Sequence, residues 1–459
     1  MTTGMLDSQA LDELIRGGTI DTVLVVFTDL QGRLVGKRVT GHFYLDHVAS
    51  GEGAIEACVY LLAVDVDMTP LPGFDFANWD TGYGDFRCVP DPSTVRIVPW
   101  LEKTALVLCD LYDEESGEPV EVSPRQILIK QVERAAALGY RVMCGSELEF
   151  FLFRESYEEA QAKHFQDLTP HSGFIEDYHI LQTTRDEYLI RQIRNGMDGA
   201  GVPVEFSKGE AGRGQHEINL RYSDAVTMAD RHVIYKNGAK EIAGINGRSL
   251  TFMAKYSMDD VGSSCHVHSS LWNADGTQSL MWQEDGPDHM SPAFRGWLGG
   301  LVATGRELAW MFAPTVNSYK RYQPESWAPT ALAWGRDNRT CGFRLVGHGP
   351  GFRIESRIPG ADCNPYLAFA ATIAAGLHGI ENTIEPPPML VGNAYEAPDI
   401  PHVPWNIVDA ITEFERSEVA NAAFGGAVHR HLVHAARQEW AVFNQAVTDW
   451  ELRRNFEQF

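Results

Sequence analysis

The segment YRVMCGSELEFFLF, residues 140–153, restricts the fold of this chain more than any other. It reads as a strand, and on a strand Glu147 and Glu149, two residues apart, share a face. Adjacent carboxylates repel, and each is costly to bury. An exposed strand face is the ordinary setting for such a pair. The flanking Met143, Phe150, Phe151 and Leu152 predict a buried strand instead, and a buried strand carrying two neighbouring acids asks for a cation.

Three further segments carry side chains that a plain fold does not require. In SKGEAGRGQHEINLRYSDA (207–225), Glu210 and Glu217 bracket a glycine-rich bend through Gly212 and Gly214, either a surface loop or a bend that brings carboxylates to a metal. In SMDDVGSSCHVHSSLW (257–272), His266 and His268 share a strand face beside Ser269 and Ser270. Imidazoles suit a metal or a phosphate, and a satisfied pair of core histidines is the alternative. Residues 317–369 hold Arg321, Arg336, Arg339, Arg344, Arg353 and Arg357, interleaved with Trp334, Phe343, Phe352 and Ile354. Arginine forks match carboxylate and phosphate oxygens. A set of carboxylates with histidine for hard cations, and arginines for anionic substrates, is the equipment of phosphoryl transfer. No Walker sequence and no strand-following GxGxxG is present, so a nucleotide must be held by another scheme.

The remainder of the chain frames that chemistry. With 459 residues, 44% of them apolar, it exceeds one ordinary core, and one small plus one large unit is expected. The net charge of −24 argues against nucleic acid and against an anionic membrane surface as partners. The longest apolar stretches, such as 57–64, are short of the roughly 20 residues a membrane span needs. Seven widely spaced cysteines without a CxxC pair predict neither a disulfide framework nor a zinc–thiolate site, and with an N-terminus lacking a signal pattern they predict a cytoplasmic protein. Strands are expected at 22–27, 33–39, 95–100 and 104–111, with a Pro-, Gly- and Asp-rich loop over 69–92. Ser123-Pro124 opens a helix closed by Gly139, and helices fill 406–459 with a break at Gly425-Gly426.

The motifs SELEFF, GxGQHE, HVHSSLW, NSYKR, WGRDNR and RIESRIPGADCNPYLA, in this order over nearly the whole chain, resemble class I glutamine synthetases. The resemblance implies an α+β fold: a small N-terminal β-grasp domain (18–114), then a large catalytic domain (120–459) whose antiparallel-sheet funnel is flanked by helices. It implies a homo-oligomer, a dodecamer of two stacked hexameric rings with each active site between neighbouring subunits. By position, Glu149, Glu210 and Glu217 resemble the ligands of a first Mg²⁺ or Mn²⁺ ion, and Glu147, His266 and Glu355 those of a second. His268 and Ser270 resemble nucleotide contacts, Arg339 and Arg344 an ATP-phosphate clamp, and Arg357 the group on the transferred phosphoryl. Arg321 resembles the grip on the glutamate α-carboxylate, Gly262 a carbonyl offered to the substrate amine, and Tyr178 a pocket member.

Departures from the family pattern bear on the substrate. In the flap, where the family has an acid, this chain reads Glu325-Ser326-Trp327, and Glu56 in AIEACVY (54–60) stands nearest the small-domain aspartate that handles ammonium. Replacing a flap carboxylate by indole removes a charge and adds an apolar wall, which suits the carbon chain of an organic amine. The expected activity is therefore an ATP-dependent ligation of glutamate to an organic amine through γ-glutamyl phosphate, a monoamine in preference to a polyamine. Ordinary glutamine synthesis from ammonia and a non-catalytic scaffold are the alternatives. Tyr395 resembles a loop tyrosine adenylylated in some family members, and is expected here to be unmodified.

Overall fold

Two β-sheets organise the chain, each assembled around one strongly apolar strand. The computed structural model describes residues 3–49, 55–397 and 399–459. In the first sheet, β1 (Thr22–Thr28) is buried along nearly its whole length. It pairs antiparallel with β2 (Leu34–Thr40) and parallel with β6 (Thr104–Asp113). β6 continues to β4 (Asp85–Pro90) and β3 (Ile55–Cys58), with the short β5 (Arg96–Ile97) also on β6. β4 falls inside the stretch expected to be a loop. Its turn-forming residues end at Gly84, after which Phe86 and Cys88 alternate inward and are buried.

The β1–β2 turn shows why the two halves hold together. The Asp29 carboxylate accepts from the backbone N–H of Gln31 and Arg33, at 3.0 and 2.9 Å, closing the turn. Gly32 sits at φ +75°, and a Cβ there would press on Asn364 at 3.2 Å. That close approach lets Asn364 do two things. It caps the helix Pro365–Glu381, and its side-chain amide donates to the Leu30 carbonyl at 3.0 Å. A second junction is ionic: buried Arg125, at the start of the helix Pro124–Ala137, joins Asp110 of β6 and Asp91, just after β4, to Asp230 of the helix Ala225–Ile245.

The second sheet is built on β7 (Tyr140–Phe153), the strand predicted from the carboxylate pair. In order it runs β13 (Trp334–Arg336), β14 (Phe343–Val346), β15 (Arg353–Ser356), β12 (Cys265–Asn273), β7, β9 (Gln215–Leu220) and β8 (Val204–Gly209). β10 (Ser223–Asp224) and β11 (Ser249–Thr251) add to β7. All pairings are antiparallel except β13 with β14. Buried apolar residues of both sheets and of the helices form one continuous core. Within it the helices Pro292–Thr304 and Pro365–Glu381 cross closely, since a Cβ on Gly300 or Gly379 would lie 2.0 Å from backbone oxygen of the other helix. Four C-terminal segments, Ile407–Arg416, Glu418–Phe424, Gly426–Phe443 and Asp449–Asn455, are helical, with the break at Gly425 as expected. No disulfide links the seven cysteines. Among the described residues, no helix is long and apolar enough to cross a membrane.

Candidate active site

Strand register assembles the site. Across the second sheet Glu149 stands opposite Glu217, Glu147 opposite His266, His268 opposite Glu355, and Arg344 opposite Glu355. Because alternate residues of a strand share a face, these pairings put the acids, imidazoles and guanidinium on one side of the sheet. All but His268 line a cavity of about 790 Å³. Glu210 joins from the bend after β8, whose backbone N–H donates to the Gln215 carbonyl at 2.8 Å. Of the residues singled out from sequence, Glu147, Glu149, Glu210, Glu217, His266, Glu355, Arg321, Arg339, Arg344, Arg357, Gly262, Tyr178 and Trp327 all line this cavity.

The rest lie elsewhere. His268 and Ser270 line an adjoining cavity of about 310 Å³, which shares Glu147 with the first. Glu325 is exposed at φ +56° on the loop before Trp327, off the cavity wall. Glu56 is exposed on β3 of the first sheet, also off the wall, and Ala54 of its segment lies outside the described residues.

The acids fall into two groups of different character. Ligand oxygens of Glu149, Glu210 and Glu217 lie within 4.8 Å of one another. Burial, with Glu210 close by, pushes the Glu149 carboxyl up to about 8. Burial and the neighbouring Glu147, Glu210 and Glu149 drive Glu217 well above the usual carboxylate range. Such a group is unstable as three anions and could hold a divalent cation, so the donor set fits the metal implied by the sequence. In the second group, Glu147 meets His268 Nε2 at 2.8 Å and His266 Nδ1 at 3.2 Å. Burial alone would raise Glu147, but His268 and His266 outweigh it and hold the carboxyl low. Glu355, buried beside the same histidines and Arg357, is held down to about 2. Burial, then Arg357, keeps His266 at about 4, in the neutral form a metal ligand needs.

Arginines complete the wall. Arg344 and Arg357 donate to the two oxygens of Glu355 at 2.8 and 2.6 Å. Arg321 is buried and donates to the carbonyls of Ile358 and Arg357 at 2.8 and 2.9 Å. Arg321 and Arg357 each keep a buried Nε–H without a partner. Trp327 occupies φ +60°, a strained setting for a bulky residue, and its carbonyl accepts from Arg357 at 3.4 Å. With Tyr178, Ile180 and Phe206 it gives the cavity an apolar wall opposite in character to the carboxylates. The Tyr395 hydroxyl is buried.

Several contributors were not singled out from sequence. Gln215 donates to the Gly262 carbonyl at 3.0 Å and to Glu149 at 3.3 Å; Asn219 donates to Glu217 at 2.8 Å. The Ser264 N–H donates to Glu149 at 2.7 Å. Gln215 and Asn219 flank Glu217 at two-residue spacing on β9, a period that was readable once β9 was known to be a strand. His216, on the other face of β9, packs with Asp186 (2.9 Å) and Glu176 in a wholly buried group behind the cavity.

Comparison with known proteins agrees with this geometry. Residues 121–455 match the family model described as glutamine synthetase, catalytic domain. The chain is 50% identical over 455 residues to the γ-glutamylethanolamide synthetase GlnA4 of Streptomyces coelicolor, covering 99% of this chain and 96% of that one. It is 37% identical over 445 residues to a glutamate–isopropylamine ligase of a Pseudomonas species, covering 96% of each. The solved structure of a GmaS/ADP complex superposes with a TM-score of 0.84 at 29% identity, covering 97% of this chain and 99% of that one.

Proposed function

The chain belongs to the glutamine synthetase family, and on that premise we propose that it is an ATP-dependent ligase joining the γ-carboxylate of glutamate to a small organic monoamine of the ethanolamine or isopropylamine class. The observation that carries this reading is Trp327. An indole stands on the cavity wall, with Tyr178, Ile180 and Phe206, where the family pattern has an acid. An apolar wall beside the metal carboxylates favours a carbon chain, whose burial contributes about 25 cal/mol per Å². It offers nothing to ammonium, which has no carbon to bury. Both named relatives are ligases of organic amines, which supports the same choice.

The roles follow from the wall. Glu149, Glu210 and Glu217 would hold one divalent ion, and Glu147, His266 and Glu355, with His266 Nδ1 3.2 Å from Glu147 and 3.5 Å from Glu355, a second. When bound, Mg²⁺ or Mn²⁺ supplies positive charge against the oxygens of the transferred phosphoryl group. Arg339, Arg344 and Arg357 orient the ATP phosphates, and Arg321 orients glutamate so that its γ-carboxylate attacks the γ-phosphoryl, giving γ-glutamyl phosphate and ADP. The amine, having lost a proton, then attacks the activated carbonyl and phosphate leaves. The Gly262 carbonyl, partly engaged by Gln215, retains a lone pair for the amine N–H. His268 and Ser270 line the side toward the nucleotide. Glu56 is the proposed proton acceptor, and Glu325, on the flap loop, a proposed substrate contact. Glu56 serves a neighbouring subunit's cavity in a two-ring dodecamer, an assembly supported by exposed Ile180, Leu181, Trp450, Phe456 and Phe459. The two separate sheets support a division into domains at 18–114 and 120–459.

The test is phosphate release from ATP with glutamate and Mg²⁺, against ammonium, ethanolamine, isopropylamine, methylamine, putrescine and spermidine. Selective turnover of a monoamine, with the γ-glutamyl amide identified by mass, is expected. Turnover with ammonium alone would contradict the reading, and absence of Mn²⁺ binding would favour a non-catalytic scaffold.

A further inference from the structure

One cation on the cavity wall has no task in this scheme. Lys208 lies on β8 opposite Glu217, and its side chain is only 17% exposed. Its ammonium is ion-paired with Glu210 and with Asp177, the latter at 3.2 Å. It stands 4.4 Å from the centre of the Tyr178 ring. An aromatic face flanked by two carboxylates is a seat for an alkylammonium ion. In this protein the seat is already filled, by the chain's own lysine.

We propose that Lys208 is a specificity-determining residue: its resident ammonium occupies the second-cation seat formed by Tyr178, Asp177 and Glu210, and so excludes diamines and polyamines from the amine site. The inference rests on the reading that the amine binds along the wall containing Tyr178 and Trp327. An amine with a neutral far end meets no penalty there, and a hydroxyl end gains a donor in Lys208. An amine with a second ammonium meets a like charge there and is repelled. Were Lys208 merely structural, holding Glu210 in place, its loss would slow every amine alike.

The experiment compares wild type, Lys208→Met, Lys208→Gln and the double variant Lys208→Met/Asp177→Asn. The readout is the ratio of kcat/KM for putrescine to kcat/KM for ethanolamine, alongside calorimetric titration of putrescine into each protein with Mg²⁺ and glutamate. Removing the lysine is expected to raise the ratio about tenfold or more. The double variant is expected to lose that gain, because Asp177 then no longer receives the second ammonium. A ratio unchanged in both single variants, or both amines slowed together, would overturn the proposal. Failure of the ligase reading looks different: wild type would form no γ-glutamyl amide from any amine. The titration then decides, with tighter putrescine binding in Lys208→Met supporting the seat and equal binding refuting it.

Discussion

Of the places where the described residues crowd carboxylates into the interior, two resolve the charge in opposite ways. At the junction between the sheets, Asp91, Asp110 and Asp230 surround Arg125, which spends its donors on all three, while the Tyr366 hydroxyl donates to Asp230 at 2.6 Å. In the cavity, Glu149 and Glu217 receive only neutral donors: Ser264 N–H and Gln215 on the first, Asn219 on the second. A junction that exists to hold the fold brings its own cation. In the cavity, Glu149 and Glu217 leave their charge open for a cation that arrives from solution, while Lys208 holds Glu210 and Arg344 and Arg357 hold Glu355.

Exchanging an acid in the cavity gives the largest expected effect. Glu149→Gln or Glu217→Gln is expected to lower kcat/KM about a thousandfold. The thermal midpoint of the metal-free protein should not fall, because repulsion is relieved. A fall in that midpoint would mean the acids stabilise the fold after all. The same operation at the junction should invert the outcome. Arg125→Met leaves three partly buried aspartates without their cation and is expected to cost about 3–5 kcal/mol in urea unfolding, with turnover of the folded fraction retained.

Metal should erase part of the difference between the two places. Mg²⁺ or Mn²⁺ at about a hundred times its Kd is expected to stabilise the protein by about 2.7 kcal/mol, read as a shift in the thermal midpoint. The pH dependence has a definite sign. Glu149 and Glu217 are raised in the folded metal-free protein, so folding favours their protonated forms. Their contribution to stability is full below the unfolded carboxylate range and is lost as pH rises toward about 8, where Glu149 titrates. Metal-free protein should therefore lose stability between about pH 5 and 8, and saturating Mg²⁺, which needs the deprotonated forms, should flatten or reverse that slope. An unchanged slope with metal would place the ion elsewhere. Smallest in effect, Trp327→Glu should restore a carboxylate to the apolar wall and shift selectivity about tenfold toward ammonium.

The cavity was legible in the sequence wherever a two-residue period coincided with unusual chemistry. Glu147 and Glu149 within YRVMCGSELEFFLF, and His266 with His268, announced both the strand and its task. What pairing alone decides was not legible. Nothing in SKGEAGRG places Lys208 against Tyr178 and Asp177, because those contacts come from a loop far back in the chain. His268 sits against Glu147 through the β12–β7 register, which no local pattern specifies. β4 was hidden behind a run of turn-forming residues that ends one residue before it begins. Glu56 lies on the edge strand β3, and no local pattern shows what that edge faces.

The central claim is that this cavity selects an organic amine over ammonia, and one competition measures it. Equal concentrations of ammonium and ethanolamine are supplied in a single reaction with ATP, glutamate and Mg²⁺, and both products are quantified by mass spectrometry. The account predicts γ-glutamylethanolamide in large excess over glutamine. Glutamine as the main product would contradict it and would mean that the indole of Trp327 does not set the choice of nucleophile.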